Sequence, residues 1–166
     1  MRMKLPWVLL QGGNSGSDSL VNLFRFHWGL FMMSNRMIAR CKFGRPMSLA
    51  QKPKDGESTQ HNSKHVVRPT KDIVVEYLAN PTDEAWEKFE SAYVAILQQR
   101  FQENRKPFDE LADRARNGKV LLLCDCPTKH NPAPNHCHTI PALQFMKARY
   151  PDLKVDLSWP SPDPLP

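Results

Sequence analysis

Long apolar runs are absent from this sequence. The longest, at 20–33, has 14 residues and includes Arg25 and His27, whereas a membrane-spanning helix needs about 20 apolar residues. The earlier apolar run at 6–10 is too short for the core of a secretory signal peptide. We therefore expect a cytoplasmic protein with no membrane span, in which disulfides are rare.

Several common site motifs are also missing. The sequence contains no C-x-x-C, no G-x-G-x-x-G and no Walker A motif. It also lacks the paired H-x-E and P-C-x-x-C of zinc deaminases and the Cys-to-Arg spacing of a phosphatase phosphate loop. The best-known thiol redox, dinucleotide, P-loop and deaminase sites are therefore excluded.

Glycine is scarce, at 7 of 166 residues, while proline reaches 15. Apolar residues at 40% and charged residues at 24% are ordinary for a soluble globular protein, and they exclude collagen, coiled coil and a fully disordered chain. The length fits one domain with its own hydrophobic core. We expect that domain at 36–157, between an N-terminal extension at 1–35 and a Pro-rich tail at 158–166.

The positive charge is unevenly distributed along the chain. Residues 1–60 hold 9 Lys and Arg against 3 Asp and Glu, whereas residues 61–166 hold 14 of each. A basic excess attracts phosphate-bearing partners. The N-terminal third is therefore either a solvated basic arm or a surface for nucleic acid.

A strand, a loop and three helices are predicted before residue 119. The strand is 37–43, and the polar segment 50–69 predicts an exposed loop. Thr70 and Thr82 cap the first two helices, which run to about residues 78 and 102. Gly118 ends the third helix, which opens at Pro107, in a left-handed conformation. Apolar residues at steps of three and four face the core from the last two helices: Trp86, Phe89, Tyr93, Leu97, Phe108, Leu111, Ala112 and Ala115.

The segment KVLLLC at 119–124 is apolar without a polar interruption after its first residue. Such a run is typical of a strand that is covered on both faces. A helix at 139–150 and a short strand at 154–157 follow it. This order of helix, buried strand and helix predicts a single three-layer α/β domain with a short, mainly parallel sheet and 119–124 as a central strand.

Reactive side chains concentrate in the loop that follows this strand. They are Cys124, Asp125, Cys126, His130, His136, Cys137 and His138. In open α/β sheets, ligands bind at the carboxyl edge, where this loop begins. The loop also leads to a helix N-terminus, which attracts anions and lowers the pKa of a nearby thiol such as Cys124 or Cys137.

Three interpretations of this loop remain open. The first is a thiol site in which Cys124 or Cys137 is a nucleophile or ligand contact, while His136 and His138 are proton donors or anion contacts. The second is a zinc site that uses some of Cys124, Cys126, His130, His136, Cys137 and His138, with Cys124, Cys126, Cys137 and His138 as the candidate ligands. The third is structural, with Cys124 as a small buried apolar residue and the histidines on a loop.

The same segments resemble two families of small bacterial and phage proteins of unknown function, DUF488 and DUF4326. Residues 70–150 are similar to them in the helix pair, in the strand that ends with Leu122-Leu123-Cys124, and in Cys137-His138 at the start of the next helix. This resemblance implies a small Rossmann-like α/β fold. Gly44-Arg45-Pro46 resembles a Gly-Arg-Pro motif of the second family, which implies that Gly44 and Arg45 lie near the same site.

These observations lead to two hypotheses about function. The first is a ligand-binding domain, catalytic or not, that acts on a nucleotide or a nucleic-acid phosphate. In this hypothesis Gly44, Arg45, Asp125 and Cys126 contact the ligand, and Arg45 neutralises a phosphate. The second is a non-enzymatic nucleic-acid-binding or adaptor module that zinc stabilises.

Overall fold

The computed structural model describes residues 36–42 and 54–158, which all belong to the second of two units in the chain, Asn35–Pro166. This part of the chain contains four strands and four helices. In chain order they are β1 (Met37–Lys42), β2 (Gly56–Ser58), α1 (Lys71–Ala79), α2 (Asp83–Glu103), α3 (Lys106–Asn117), β3 (Lys119–Cys124), α4 (Thr139–Arg149) and β4 (Val155–Asp156). The extension predicted at 1–35 and the tail beyond residue 158 lie outside the described residues.

The four strands form one parallel sheet in the order β2-β3-β1-β4. β3 is an interior strand, since it pairs with β1 from Lys119 to Cys124 and with β2 on its other side. Its last five residues are all buried. The predicted α/β class, the parallel sheet and the central position of KVLLLC are therefore confirmed, while the Rossmann-like detail stays a prediction.

The helices cover one face of this sheet. Ile38 of β1 and Val120 and Leu122 of β3 point to this face and belong to the main core. The buried apolar side chains of the helices join the same core: Tyr77, Phe89, Tyr93, Leu97, Phe108, Leu111, Ala112, Ala115, Ala142, Leu143, Phe145 and Met146. The periodicity of α2 and α3 therefore identified their inward faces correctly, and removal of this apolar surface from water is the main force that holds the helices on the sheet.

A smaller apolar cluster lies on the opposite face of the sheet. It consists of Ala39, Cys41, Leu121 and Leu123, with Met37 beside them. Of the helices within 36–42 and 54–158, none contributes a buried apolar side chain to this cluster. The third layer of the expected architecture is therefore not seen in that part of the chain and stays a prediction.

The prediction of an exposed loop at 50–69 is wrong for its described part. Gly56–Ser58 pair with β3 as strand β2, and the side chains of Thr59 and Val67 are completely buried. Glycine, glutamate and serine have little intrinsic preference for strands. Pairing with β3, which the local sequence does not reveal, stabilises this strand.

Two details of the predicted helix ends also differ. Thr82 does cap α2, because its Oγ1 accepts a hydrogen bond from the Ala85 N–H at 3.2 Å. Thr70 occupies the N-cap position of α1 but makes no side-chain cap bond. Gly118 follows α3 with a φ of −166°, which is extended backbone rather than the predicted left-handed conformation.

The longest of the four helices, α2, has 21 residues and a charged, exposed face. In the described ranges, no helix combines the length and the apolar character needed to cross a bilayer.

Candidate functional site

The carboxyl edge of the sheet brings together side chains from three segments. Cys124 is the last residue of β3, and Thr59 directly follows β2. Cys137 and His138 directly precede α4. Because parallel strands end at the same edge and α4 starts there, residues far apart in the sequence meet at this place.

Three cysteine sulfurs form the centre of this site. The Sγ atoms of Cys124, Cys126 and Cys137 all lie within 4.8 Å of one another, and none of the three is in a disulfide. In tetrahedral zinc sites, Zn–S bonds of about 2.3 Å separate two sulfurs by about 3.8 Å. The three cysteines are therefore close enough to hold a single metal ion.

Each of the three sulfurs has a hydrogen-bond donor beside it. The Cys126 N–H donates to Cys124 Sγ at 3.5 Å, and Asn131 Nδ2 donates to Cys126 Sγ at 3.3 Å. The Thr139 hydroxyl lies 3.0 Å from Cys137 Sγ. Such donors stabilise a thiolate more than a thiol, so the surroundings of the cluster favour negatively charged sulfur.

The pKa values of the cluster indicate where that negative charge resides without a metal. Hydrogen bonds with Cys124 and Cys126 lower the pKa of Cys137 far below its usual value. Hydrogen bonds with Cys126 and Cys137, together with burial, raise the pKa of Cys124. The hydrogen bonds between the sulfurs therefore stabilise a negative charge within the cluster.

Arg40 supplies a positive charge to the same region. Its side chain is buried, and its Nη2 donates to the Pro134 carbonyl at 2.8 Å. Burial lowers the pKa of Arg40, while the negative charge of Cys137, Cys124 and Cys126 raises it. An arginine stays protonated even after a substantial decrease in pKa, so its guanidinium compensates for thiolate charge in the interior.

His138 contacts Cys124 through one ring nitrogen and Thr59 through the other. The His138 Nδ1 lies 3.6 Å from Cys124 Sγ, and its Nε2 lies 2.8 Å from Thr59 Oγ1. The Thr59 hydroxyl donates its hydrogen to the Leu123 carbonyl at 3.0 Å, so it accepts from the His138 Nε2–H. Since burial also lowers the pKa of His138, the ring is neutral and Nδ1 presents a lone pair to Cys124.

Asn131 holds the loop between β3 and α4 in place. Its Oδ1 accepts from the Tyr77 hydroxyl at 2.9 Å, and its Nδ2 donates to the His136 carbonyl at 2.6 Å as well as to Cys126. Its backbone exchanges two hydrogen bonds with Thr128. This single amide therefore connects α1, the Cys126 sulfur and the segment that leads to Cys137.

His136 lies in an aromatic group rather than in the sulfur cluster. Its ring stacks on Trp86, with centroids 5.0 Å apart, and its Nδ1 lies 3.0 Å from the Tyr77 hydroxyl. Its Nε2 lies 3.4 Å from the Asp83 carboxylate. These contacts attach the loop to α1 and α2, so His136 orders the wall of the site.

A cavity of about 220 Å³ adjoins the sulfur cluster. Cys124, Cys126 and His138 are among the residues that line it, whereas Cys137 is completely buried and is not. Six apolar side chains also line it: Pro69, Val74, Tyr77, Leu78, Trp86 and Phe89. Polar side chains complete the lining: Gln60, His61, Asn62, Asp125, Thr128, Asn131 and His136. The site is therefore accessible to a small molecule on one side of the cysteines.

Asp125 borders this cavity as an acidic group in a fixed position. Its Oδ2 accepts a hydrogen bond from Gln60 Nε2 at 2.7 Å, and both residues line the cavity. Gln60 follows β2 closely along the chain, so the newly identified strand also positions this pair.

Three of the predicted site residues, Cys124, Cys126 and Cys137, bring their sulfurs together, and a fourth, His138, contacts Cys124. Of the others, Asp125 and His136 line the adjoining cavity, while Gly44 and Arg45 lie outside the described residues. Sequence reasoning missed the important contacts of Thr59, Asn131, Arg40, Tyr77 and Gln60. Arg40 had one signal, a charged residue inside an otherwise apolar strand; the others are common polar residues that no spacing distinguishes.

The chain matches no known protein family, no curated protein and no solved structure. The resemblance to DUF488 and DUF4326 therefore stays a prediction.

Proposed function

We propose that this chain is a ligand-binding domain stabilised by a zinc–thiolate centre, with Cys124, Cys126, Cys137 and His138 as the metal ligands and the adjoining cavity as the ligand site. The observation that carries the proposal is the group of three sulfurs within 4.8 Å of one another, two of which belong to residues that line this cavity. A set of three cysteines and one histidine is a common structural zinc site.

The hydrogen bonds around the ligands support this assignment. Metal-bound thiolates and imidazoles are held by donors and acceptors around the site, which fix their orientation. Here each sulfur has its own donor, and Thr59 accepts from the His138 Nε2–H. The His138 Nδ1 lies 3.6 Å from Cys124 Sγ, about the distance expected between a sulfur and a nitrogen ligand on one zinc ion. Within the described ranges, the ligand atoms that lie within 4.8 Å of one another are the three sulfurs alone, so the imidazole would move closer to Cys126 and Cys137 when it binds the metal.

The charge balance also favours a metal. Three thiolates and one Zn²⁺ leave a net charge of about −1, and burial of an uncompensated charge is costly. The guanidinium of Arg40, whose charge interacts with all three sulfurs, neutralises that excess. Without a metal, three thiolates together would be strongly unfavourable, and only one could ionise.

The hypothesis of a cysteine nucleophile has less support. Cys137, the sulfur with the lowered pKa, is completely buried, and Cys124, which borders the cavity, has a raised pKa. A nucleophile needs both ionisation and access to its substrate. No cysteine of the cluster combines these two properties, so the sulfurs are better suited to holding a metal than to attacking a substrate.

Metal analysis tests this proposal directly. The full chain, purified with zinc in all buffers and then freed of excess metal, is expected to retain about one zinc ion per molecule. Cys126→Ala should lose most of this zinc because it removes one ligand at the partly exposed end of the cluster. The matched control is Cys41→Ala, which removes a buried cysteine on the opposite face of the sheet and should retain zinc.

Circular dichroism must accompany both measurements. Folded wild-type protein that contains no zinc, or equal zinc retention in the two variants, would overturn the proposal. Loss of zinc in Cys126→Ala while Cys41→Ala keeps it would support the assignment.

A further inference from the structure

Cys126 is the most accessible sulfur-bearing residue of the cluster. It is partly buried and lines the cavity of about 220 Å³. Cys124 also lines this cavity but is only 5% exposed, and Cys137 is completely buried. A small molecule that enters the cavity therefore reaches Cys126 most readily.

Metal binding would leave access as the property that distinguishes the three sulfurs. Zinc binds the deprotonated form of cysteine, so all three are thiolates in the proposed centre. The thiolate is also the form of cysteine that peroxides oxidise, and its susceptibility increases with its exposure to solvent. Access therefore favours Cys126 as the sulfur that reacts first.

Cys137 is the most suitable partner for an oxidised Cys126. Their sulfurs lie within 4.8 Å of each other, and rotation of the two side chains would have to shorten this distance to about 2.05 Å in a disulfide. Cys124 is a less suitable partner, because a disulfide across a single intervening residue closes a strained ring. The backbone of Cys124 is also fixed by its pairing with β1, whereas Cys126 and Cys137 both lie in the segment between β3 and α4.

We propose that Cys126 is an oxidation site for hydrogen peroxide, and that its oxidation to a disulfide with Cys137 releases the zinc ion. This inference rests on the proposed function, because it concerns the regulation of the same metal centre. A reactive thiolate that lies next to a second cysteine is the usual arrangement of a redox-sensing cysteine.

The reaction takes place in two steps. The Cys126 thiolate attacks one oxygen of hydrogen peroxide, so an S–O bond forms, the O–O bond breaks, and the departing hydroxide takes up a proton to become water. The Cys137 thiolate then attacks the Cys126 sulfur, which forms the S–S bond and breaks the S–O bond. A second proton converts the hydroxide that leaves into water. The two sulfurs together lose the two electrons that reduce one peroxide molecule.

Loss of zinc follows from the change in the ligands. A sulfur in a disulfide is no longer a thiolate, and the thiolate is the form that binds metal. Of the four proposed ligands, only Cys124 and His138 remain after oxidation. Two ligands hold zinc much more weakly than the four of a structural site.

Zinc release and disulfide formation can be measured on one sample of the zinc-loaded full chain. Excess hydrogen peroxide should release about one zinc ion per molecule to a coloured indicator. After the remaining thiols are blocked in denaturant, trypsin and a protease that cleaves before aspartate separate the three cysteines into peptides 120–124, 125–129 and 130–147. Mass spectrometry without reduction should show 125–129 linked to 130–147, and 120–124 with a blocked thiol. Cys41, on the opposite face of the sheet, is the internal control and should also remain a thiol.

A pair of variants tests the route through the cavity. Leu78 lines the cavity and is 40% exposed, so Leu78→Trp should narrow the route to Cys126 without replacing a metal ligand. Val75, on the same helix, is 57% exposed and is not a lining residue, so Val75→Trp is the matched control. With tert-butyl hydroperoxide, a bulkier probe of the same class, zinc release should be slower by about threefold or more in Leu78→Trp alone, because thiolate oxidation depends on access. Both variants should contain the same amount of zinc before oxidation.

Three results would overturn the inference. The first is retention of zinc and of all thiols at a peroxide concentration that fully oxidises free glutathione. The second is release of zinc without a disulfide between Cys126 and Cys137, and the third is an equal rate of release in the two tryptophan variants. In all three cases the zinc measured before oxidation leaves the proposed metal centre intact. Folded protein that contains no zinc before peroxide is added would instead overturn the metal centre, and a disulfide between Cys126 and Cys137 in that sample would still support the oxidation site.

Discussion

The imidazole of His138 donates its Nε2–H to the Thr59 hydroxyl at 2.8 Å, and this bond fixes which ring nitrogen faces Cys124. The Thr59 hydroxyl has only one hydrogen, and the Leu123 carbonyl accepts it at 3.0 Å. The tautomer of a buried histidine is therefore set by a threonine that directly follows β2. If zinc binds, Thr59 is a positioning residue for the metal site.

Thr59→Val should disturb both stability and metal retention. The substitution leaves the His138 Nε2–H without its acceptor in a buried place, which costs about 1–3 kcal/mol in the free energy of unfolding. It should also lower zinc affinity by about 10–100-fold, as loss of a second-layer hydrogen bond does in other metal sites. Urea unfolding and competition with a coloured chelator measure the two effects.

Thr70→Val is the matched control for this experiment. The Thr70 Oγ1 is buried, and within the described part of the chain it has no hydrogen-bond partner. Replacement of this hydroxyl by a methyl group should therefore cost less than about 0.5 kcal/mol. Equal losses of stability and zinc affinity in the two variants would contradict the role assigned to Thr59.

Chelation should change the reactivity of three cysteines but not of the fourth. A zinc-bound thiolate is a poor nucleophile toward an alkylating reagent, and loss of a metal that stabilises the fold opens the segments that it holds together. Removal of the metal should therefore expose Cys124, Cys126 and Cys137 and accelerate their modification by about tenfold or more. Cys41 is buried on the opposite face, and burial raises its pKa, so it should react slowly in both states. Peptide mass spectrometry after timed alkylation gives the rates, and identical rates for the cluster with and without chelator would contradict the metal assignment.

Asn131→Asp should destabilise the loop between β3 and α4. Asn131 Nδ2 donates to the His136 carbonyl and to Cys126 Sγ. An ionised aspartate has no hydrogen to donate, so its oxygen would face the carbonyl oxygen and the sulfur without a hydrogen bond. Lost hydrogen bonds and charge repulsion should lower the free energy of unfolding by about 2–4 kcal/mol. Asn135→Asp, an exposed change in the same loop, should have an effect within about 0.5 kcal/mol.

Urea unfolding at pH 7 distinguishes these two variants. A small effect of Asn131→Asp, equal to that of Asn135→Asp, would show that the Asn131 contacts contribute little to folding.

Glu57 should contribute to stability at neutral pH and lose this contribution in acid. Its hydrogen bond with His65, together with its bonds to Arg114, lowers the pKa of Glu57 below its usual value of 4.5. A carboxylate with a lowered pKa stabilises the folded state above the unfolded pKa, and this stabilisation disappears as pH falls from about 4.5 through the lower folded value. Glu57→Gln removes this stabilisation and should lower the free energy of unfolding by about 1 kcal/mol at pH 7. The effect is small because the side chain is partly exposed.

The measurement compares urea unfolding at pH 7 and below pH 4. The difference between wild type and Glu57→Gln should be present at pH 7 and shrink at the lower pH. Glu87→Gln, on the exposed face of α2, serves as the control. A difference that stays constant across this range would contradict the assigned ionic contribution.

The sequence predicted the elements whose patterns are local. The apolar residues at steps of three and four from Phe89 to Leu97 indicated an amphipathic helix, because one side of α2 must face the core. The apolar run at 119–124 indicated an interior parallel strand, because its last five residues, which alternate between the two faces of the sheet, are all buried. By contrast, β2 has no such pattern, since its pairing with β3 rather than its side chains holds it in the sheet.

The sequence by itself determined the α/β class, the inward faces of the long helices, and the density of cysteine and histidine around the end of β3. Only the tertiary structure decided that the sulfurs of Cys124 and Cys137 come together and that Thr59, Arg40 and Asn131 surround them. The physical reason is that core formation depends on residue type and periodicity, and a short segment of the sequence is enough to show both. Hydrogen bonds and charge compensation at a site instead depend on distances between segments that meet only when the strands align side by side.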